Sequence, residues 1–227
     1  MPGPDADADA DADAYDATPF VPERGGLDAL RKAAARCEGC PLFREATQTV
    51  FGKGRRSARV VLLGEQPGDQ EDRRGEPFVG PAGHLLMRAC SEAEIDPAET
   101  YVTNAVKHFK FVLSEERGKR RIHKPPTLRE LAACRPWLSA ELRLVEPELI
   151  VALGATAGKA LYGSGFRVTQ ARGAVLDPPD ELQALDAKGV VATIHPAAVL
   201  RAGENREEVY AGLVSDLRVA AAALSRS

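Results

Sequence analysis

The architecture follows from one apolar run that ends in a turn, Arg59-Val60-Val61-Leu62-Leu63-Gly64-Glu65-Gln66-Pro67-Gly68. Consecutive apolar residues, interrupted by glycine and proline, predict a strand over residues 59–63 that is buried on both faces. Similar runs follow at residues 101–105, 149–153 and 190–194, and helical patterns occupy residues 82–93, 128–145, 155–162 and 206–224. This alternation predicts an α/β fold with three layers, α/β/α, around a central, mostly parallel four-stranded sheet.

The amino-terminal segment differs in composition from the rest of the chain. Residues 1–16 are dominated by alternating Asp and Ala, with six Asp and no Lys or Arg. Such a segment cannot bury enough apolar surface to fold, so we expect a disordered acidic tail over residues 1–26 and a single domain over residues 27–227. No apolar run reaches the roughly 20 residues that span a bilayer, and no signal-peptide pattern is present. We therefore expect a cytoplasmic protein without membrane association.

Positive charge is concentrated in the predicted domain. The formal net charge is −3, and setting aside the six Asp of the tail leaves +3. Residues 107–124 hold seven basic and two acidic side chains. This concentration favours a polyanionic partner such as nucleic acid. Nothing in the pattern indicates an obligate oligomer, so we expect a monomer.

Polar or glycine-containing segments follow the predicted strands. Glu65 comes after the first strand, Asn104 lies at the end of the second, and His195 follows the fourth. Ligands of parallel sheets bind beyond the carboxyl ends of the strands, so these side chains are expected to share one site. Taken singly, His195 and Phe78 are each more typical of core packing than of function.

Four separated motifs resemble those of the family 4 uracil-DNA glycosylases. They are Gly64-Glu65-Gln66-Pro67-Gly68, Gly-Glu-Pro-Phe-Val-Gly-Pro-Ala-Gly at residues 75–83, Asn104-Ala105-Val106-Lys107, and His195-Pro196-Ala197-Ala198-Val199-Leu200-Arg201. The resemblance implies a uracil-DNA glycosylase-like fold and removal of uracil from DNA.

The same resemblance implies roles for four side chains in a pocket that receives the extruded base. Phe78 is expected to stack on uracil, and Gln66 and Asn104 are expected to bind it. His195 is expected to donate to the carbonyl oxygen on which negative charge develops as the base leaves. Because a single strand avoids the cost of unpairing, uracil-containing single-stranded DNA is the expected partner.

The basic segment Gly-Lys-Arg-Arg-Ile-His-Lys at residues 118–124 resembles the signature loop of the UdgX type, which stays covalently attached to the DNA it has cleaved. In that branch the loop histidine attacks the deoxyribose C1′, which implies this role for His123. Glu65 is the candidate carboxylate that orients His123 and stabilises the sugar cation. The candidate phosphate contacts are Lys119, Arg120, Arg121 and Arg201.

Two other interpretations stay open at this stage. An ordinary family 4 enzyme would release uracil and turn over, and the loop would then be a solvated basic turn in which His123 has no role. A non-catalytic, cluster-bearing nucleic-acid binder would also use the basic loop. Such a binder has no need of a complete base pocket, which argues against it.

Cys37-Glu38-Gly39-Cys40 has the spacing of a metal-binding pair, which in a reducing compartment is a better use of two thiols than a disulfide. On spacing alone, zinc binding and redox activity are equally compatible with the pair. The family resemblance implies a [4Fe–4S] cluster, with Cys134 as a further ligand and His108 in place of the family's third cysteine. Histidine replaces thiolate in some clusters. The rival to His108 is Cys90, which lies on a predicted apolar helix face.

Overall fold

The computed structural model describes residues 15–114, 120–183 and 187–225. The strands are β1 (Lys53–Gly54), β2 (Val60–Gly64), β3 (Thr100–Asn104), β4 (Phe111–Ser114), β5 (Arg120–His123), β6 (Leu149–Leu153), β7 (Val175–Leu176) and β8 (Gly189–Thr193). The α-helices are α1 (Leu27–Ala34), α2 (Asp69–Arg74), α3 (Pro81–Glu92), α4 (Leu128–Val145), α5 (Ala155–Tyr162), α6 (Val168–Ala171), α7 (Asp180–Gln183), α8 (Pro196–Arg201) and α9 (Arg206–Ser225). None of these described helices has the length and apolar character needed to span a membrane.

The central sheet has the strand order β1-β3-β2-β6-β8-β7. Its four inner strands run parallel, and β1 and β7 pair antiparallel at the two edges. The prediction of a mostly parallel sheet is confirmed, but the sheet has six strands and not four. Each edge strand is two residues long, which is too short to produce a periodic pattern in the sequence.

The register of the parallel strands brings the polar motifs to one edge of the sheet. Gly64 at the end of β2 pairs with Asn104 at the end of β3. On the other side, Leu153 at the end of β6 pairs with Thr193 at the end of β8. The chain therefore leaves β2 into Glu65 and leaves β8 towards His195 at the same edge, where parallel sheets bind their ligands.

Helices cover both faces of the sheet and complete the three layers. Val61 and Leu63 of β2 belong to a core that includes α1, α4 and α5. Val60 and Leu62 belong to the opposite core, which includes α3, α8 and α9. Because successive side chains of a strand point to opposite faces, a strand between two cores has no polar side, and all five residues of β2 are buried.

Part of the predicted acidic tail is packed against the domain. Ala17 is buried, and its N–H donates to the Ala133 carbonyl of α4 over 3.0 Å. A short 3₁₀ helix follows at Thr18–Phe20, and Phe20 packs against the core. Residues 17–20, which fall within the predicted tail, therefore pack against the domain, because the segment after the Asp-Ala repeat supplies apolar side chains. Residues 1–14 lie outside the described residues.

The basic segment belongs to an antiparallel hairpin formed by β4 and β5. Phe111 pairs with His123 and Ser114 pairs with Arg120, so His123 lies at the base of the hairpin and not at its tip. Lys119 is among residues 115–119, which fall outside the described part of the chain. The hairpin extends beyond the central sheet from the segment that follows β3, and this position places His123 near the carboxyl edge.

Candidate active site

A cavity of about 440 Å³ opens at the carboxyl edge of the sheet, within the roughly 300–1,000 Å³ typical of small-molecule sites. It collects side chains from five separate parts of the sequence, namely Glu65, Gln66, Phe78, Asn104, His123, His195 and Arg201. The structure therefore brings together the residues that the sequence predicted for catalysis and uracil binding. Arg120 is exposed on β5 outside this cavity.

The flat part of the cavity is formed by Phe78 and Asn104 beside Gly64. A Cβ atom at Gly64 would lie 2.7 Å from Phe78 Cζ and 2.3 Å from Asn104 Oδ1, so only glycine permits this approach. Phe78 itself has a left-handed backbone (φ 56°), which is strained for an aromatic residue. A Cβ atom at Gly83 would lie 1.8 Å from the Phe78 carbonyl oxygen, so helix α3 also needs glycine at this contact.

A buried ion pair between Lys107 and Glu141 holds the segment that carries Asn104. Lys107 Nζ donates to the Asn104 carbonyl over 2.8 Å and forms an ion pair with Glu141 of α4, and both charged side chains are 1% exposed. Thr103 and Tyr101 donate to the same carboxylate over 2.8–3.1 Å. This network was not predicted, because Glu141 lies more than thirty positions from the other members and no local pattern pairs them.

His195 has a defined tautomer. It caps α8, and its Nδ1 accepts the N–H of Ala197 over 3.2 Å, so in the neutral ring Nε2 carries the proton. Burial lowers the pKa of His195 to about 4, although the nearby Glu65 carboxylate acts in the opposite direction. At neutral pH the ring is thus an uncharged donor with a fixed orientation.

His123 and Glu65 are in contact at the rim of the cavity. Glu65 Oε1 lies 3.2 Å from His123 Nε2, and the side chains are 20% and 49% exposed, respectively. The other carboxylate oxygen, Oε2, accepts a hydrogen bond from Thr156 of α5. Burial acts to raise the pKa of Glu65, but hydrogen bonds from His123 and Thr156 outweigh it and lower the pKa. The contact of Thr156 with Glu65 was not predicted, because a single threonine in the first turn of a helix carries no sequence signal.

Comparison with known proteins identifies the family. The family model described as the uracil DNA glycosylase superfamily matches residues 51–218. The chain belongs to the uracil-DNA glycosylase superfamily. Relatives include Type-4 uracil-DNA glycosylases of Thermotoga maritima, 34% identical over 79% of this chain and 85% of the relative, and of Pyrobaculum aerophilum, 32% identical over 77% and 85%. A third, from Archaeoglobus fulgidus, is 31% identical over 80% of this chain and 87% of its own length.

Gln66 makes hydrogen bonds to the backbone beside the hairpin that the sequence did not predict. Its amide nitrogen donates to the carbonyls of Lys110 and Lys124 over 3.1 and 3.0 Å, and its oxygen accepts the Lys110 N–H over 3.3 Å. Lys110 and Lys124 flank the β4–β5 hairpin. Because both amide protons are committed to these carbonyls, Gln66 has none left to donate to uracil, and its amide joins the cavity to the hairpin.

The predicted phosphate contact of Arg121 is also not supported. Arg121 donates to Asp69 and, over 2.6 Å, to Asp72, and its side chain is only 11% exposed. The guanidinium also lies 5.4 and 5.0 Å from the ring centroids of Phe109 and Phe111. Its charge is therefore neutralised inside the protein, and it joins the hairpin to α2. Arg201 lines the cavity and is exposed, as a phosphate contact requires.

The predicted cluster ligands lie on one side of the sheet. Cys37 and Cys134 belong to the core formed with α1 and α4, and Cys40 and His108 are also buried. Cys90 belongs to the opposite core, so the sheet separates it from the other cysteines. In the described part of the chain, no three His, Cys, Asp or Glu side chains are arranged to hold a metal ion.

The chemistry of the donor set fits a buried soft metal centre. Burial raises the pKa of Cys40 to about 11 and that of Cys134 to about 12, so both need a bound metal to become thiolates at neutral pH. Trp137 Nε1 donates to Cys37 Sγ over 3.2 Å, and the Lys107 N–H donates to Cys134 Sγ over 3.3 Å. Such N–H donors stabilise metal-bound sulfur.

His108 also has the protonation state of a ligand. Burial lowers its pKa to about 4, which keeps the ring neutral. Its Nε2 lies 3.0 Å from Thr49 Oγ1, whose only proton is donated to the Ala34 carbonyl over 2.8 Å. Nε2 must therefore be the donor to Thr49, which leaves Nδ1 with the lone pair that a metal requires.

Proposed function

We propose that this protein excises uracil from DNA and then forms a covalent bond between His123 and C1′ of the exposed deoxyribose. The observation that carries the proposal is the 3.2 Å contact between His123 and Glu65 at the rim of the cavity that contains Phe78, Asn104 and His195. An extruded base in this cavity would have its sugar at the rim, where the half-exposed imidazole lies.

The cavity supplies what uracil excision needs. Phe78 offers a ring for stacking, and the Asn104 amide can pair with the polar edge of the base. The glycosidic bond breaks with its electron pair on the departing base, so negative charge develops on a uracil carbonyl. The neutral Nε2–H of His195 can donate to that oxygen without the cost of reorganising solvent.

The second step captures the sugar. Loss of the base leaves an oxocarbenium-like C1′, which the negative Glu65 carboxylate stabilises. A lone pair of the His123 ring forms the N–C1′ bond, and the ring's N–H proton then passes to Glu65 or to water. His123 Nε2 is the nitrogen in contact with Glu65. The carboxylate can therefore orient the ring and also accept its N–H proton.

The second candidate function is uracil release with turnover, in which Glu65 orients a water molecule and His123 is not used. It is favoured by the 31–34% identity to Type-4 uracil-DNA glycosylases. A denaturing gel after incubation with a uracil-containing single-stranded oligonucleotide distinguishes the two functions. Covalent capture predicts a heat- and SDS-stable band of reduced mobility, whereas turnover predicts free uracil and protein of unchanged mobility.

His123→Ser is the decisive variant, and His84→Ser, on the exposed surface of α3, is its matched control. We expect His123→Ser to lose the adduct while it still binds the oligonucleotide, and His84→Ser to retain the adduct. A stable adduct in His123→Ser would assign the bond to another residue. The same gel with duplex oligonucleotide tests the expected preference for a single strand, which avoids the cost of unpairing.

We further propose that Cys37, Cys40, His108 and Cys134 hold a [4Fe–4S] cluster. Such a cluster would link the segment after α1, the segment after β3 and helix α4, and it would act structurally because base excision moves no electrons. Iron content and the visible absorption of the purified protein test this assignment. Cys134→Ser is expected to lose iron and Cys90→Ser to retain it, and the reverse pattern would overturn the ligand set.

A further inference from the structure

The geometry points to Thr156 as a positioning residue, whose hydroxyl fixes the Glu65 carboxylate so that one oxygen faces His123. The inference rests on the proposed roles of Glu65 and His123 in adduct formation. It adds a third member to that pair, from a helix that none of the sequence motifs includes. Thr156 lies outside the base pocket and acts only through Glu65.

The two carboxylate oxygens of Glu65 have different partners. Oε2 accepts from the Thr156 hydroxyl, and Oε1 lies 3.2 Å from His123 Nε2. The terminal torsion of a glutamate side chain has a broad energy profile, so a carboxylate without a second partner rotates easily. When Thr156 holds Oε2, the direction of Oε1 is set, and with it the orientation of the His123 ring.

The position of Thr156 is itself fixed by the sheet. Leu63 pairs with Ala152, so the segments that follow β2 and β6 leave the sheet side by side. The turn at Gly154 has a positive φ of 91°, and its N–H donates to the Thr193 carbonyl over 2.8 Å. Thr156 then falls in the first turn of α5, on a rigid element, as a positioning role requires.

The groups that influence Glu65 come from three parts of the chain, namely β5, α5 and the segment around α8. His123 of β5 and Thr156 donate hydrogen bonds to it, and His195, which precedes α8, lies near enough to act through its charge. Arg201 acts on His195 from the far end of α8. Burial acts to raise the pKa of Glu65, and the hydrogen bonds oppose it. Removal of the Thr156 hydroxyl therefore raises this pKa, whereas a threonine that served only packing would leave it unchanged.

The test compares Thr156→Val, which keeps the shape but removes the hydroxyl, with Thr156→Ser, which keeps the hydroxyl. Single-turnover adduct formation is measured on denaturing gels with a uracil-containing single-stranded oligonucleotide across a range of pH. We expect Thr156→Val to form the adduct roughly tenfold more slowly, which corresponds to one hydrogen bond to a charged group, and Thr156→Ser to stay near the parent rate. The acidic limb of the pH profile should move to higher pH in Thr156→Val alone.

A second measurement separates this inference from the proposed function. Carbon-13 NMR titration of the Glu65 carboxyl in the free protein follows its pKa without any reaction, and thermal denaturation confirms that each variant is folded. If the parent protein forms no adduct, the proposed function fails, yet an upward shift of this titration in Thr156→Val still supports the positioning role. Identical titrations in the parent and Thr156→Val would overturn it, as would an unchanged adduct rate and pH profile.

Discussion

Replacement of Gln66 by Met tests how the hairpin that carries His123 is held in place. Methionine has nearly the same length and volume but no amide, so the change removes hydrogen bonds with little effect on packing. The Gln66 amide nitrogen donates to the Lys110 and Lys124 carbonyls over 3.1 and 3.0 Å. These two residues lie side by side at the base of the hairpin, one before β4 and one after β5. The third contact, from the Lys110 N–H to the amide oxygen, is longer at 3.3 Å.

The expected cost follows from these two shorter bonds. Each contributes about 1 kcal/mol net, so their loss favours local opening of the hairpin by about 2 kcal/mol, or about thirtyfold in the opening equilibrium. The ion pairs of Arg121 with Asp69 and Asp72 remain, and they keep the hairpin attached to α2. The variant should therefore stay folded but capture the sugar less efficiently.

Two measurements check this expectation in Gln66→Met. Hydrogen exchange at the Lys124 N–H, which donates to the Lys110 carbonyl over 3.0 Å, should accelerate by about thirtyfold. In the oligonucleotide assay, the fraction of excision events that end in an adduct should fall, while uracil release continues. Gln48→Met is the matched control, because the Gln48 amide also donates to two backbone carbonyls, of Asp72 and Arg73, outside the hairpin. If hydrogen exchange and sugar capture in Gln66→Met proceed at the same rates as in the parent protein, the reasoning is refuted.

Three further predictions concern the pocket and its support. Gly64→Ala places a Cβ atom 2.3 Å from Asn104 Oδ1, so it should impair uracil release strongly and cost roughly 1–3 kcal/mol in denaturant unfolding. Lys107→Met leaves the Glu141 carboxylate buried without its cation and should cost roughly 3–5 kcal/mol, with partial recovery when Glu141→Leu is added. Because the folded-state pKa of His195 is about 4, below its ordinary value, its contribution to stability should be complete above pH 6.5 and decline as the pH falls towards 4, and His195→Gln should reduce this pH dependence of thermal denaturation.

The sequence predicted the parts of the fold that repeat a local pattern over many residues. The four buried strands and the long helices were placed to within one residue, because burial on both faces and helical periodicity leave continuous signals. The edge strands β1 and β7, at two residues each, leave no such signal. The packed segment around Ala17 was missed because the adjacent Asp-Ala repeat dominates the composition there.

The unpredicted contacts at the site have a different cause. Composition cannot distinguish an arginine that binds phosphate from one whose charge is neutralised internally, and Arg121 finds its carboxylates about fifty positions earlier in the chain. Gln66 lies within a motif that lines the cavity, so a uracil contact was the natural inference, yet its amide faces the hairpin. In both cases the partner is distant in sequence, and only the folded chain shows the pairing.

The contacts that hold the hairpin share one consequence for mechanism. Gln66, Arg121 and Glu65 each join the hairpin to residues 64–72, the segment that leaves β2 and forms α2. Hydrolysis by water does not require a firmly held hairpin, since the attacking water comes from the solvent around the sugar. Capture by His123 does not, because an imidazole outcompetes water only when it is held close to C1′ with little freedom of movement. The ratio of adduct to free excision product should therefore decline as the Gln66 or the Arg121 attachment is weakened, whereas base release, which depends on Phe78, Asn104, His195 and the Glu65 carboxylate, should change less.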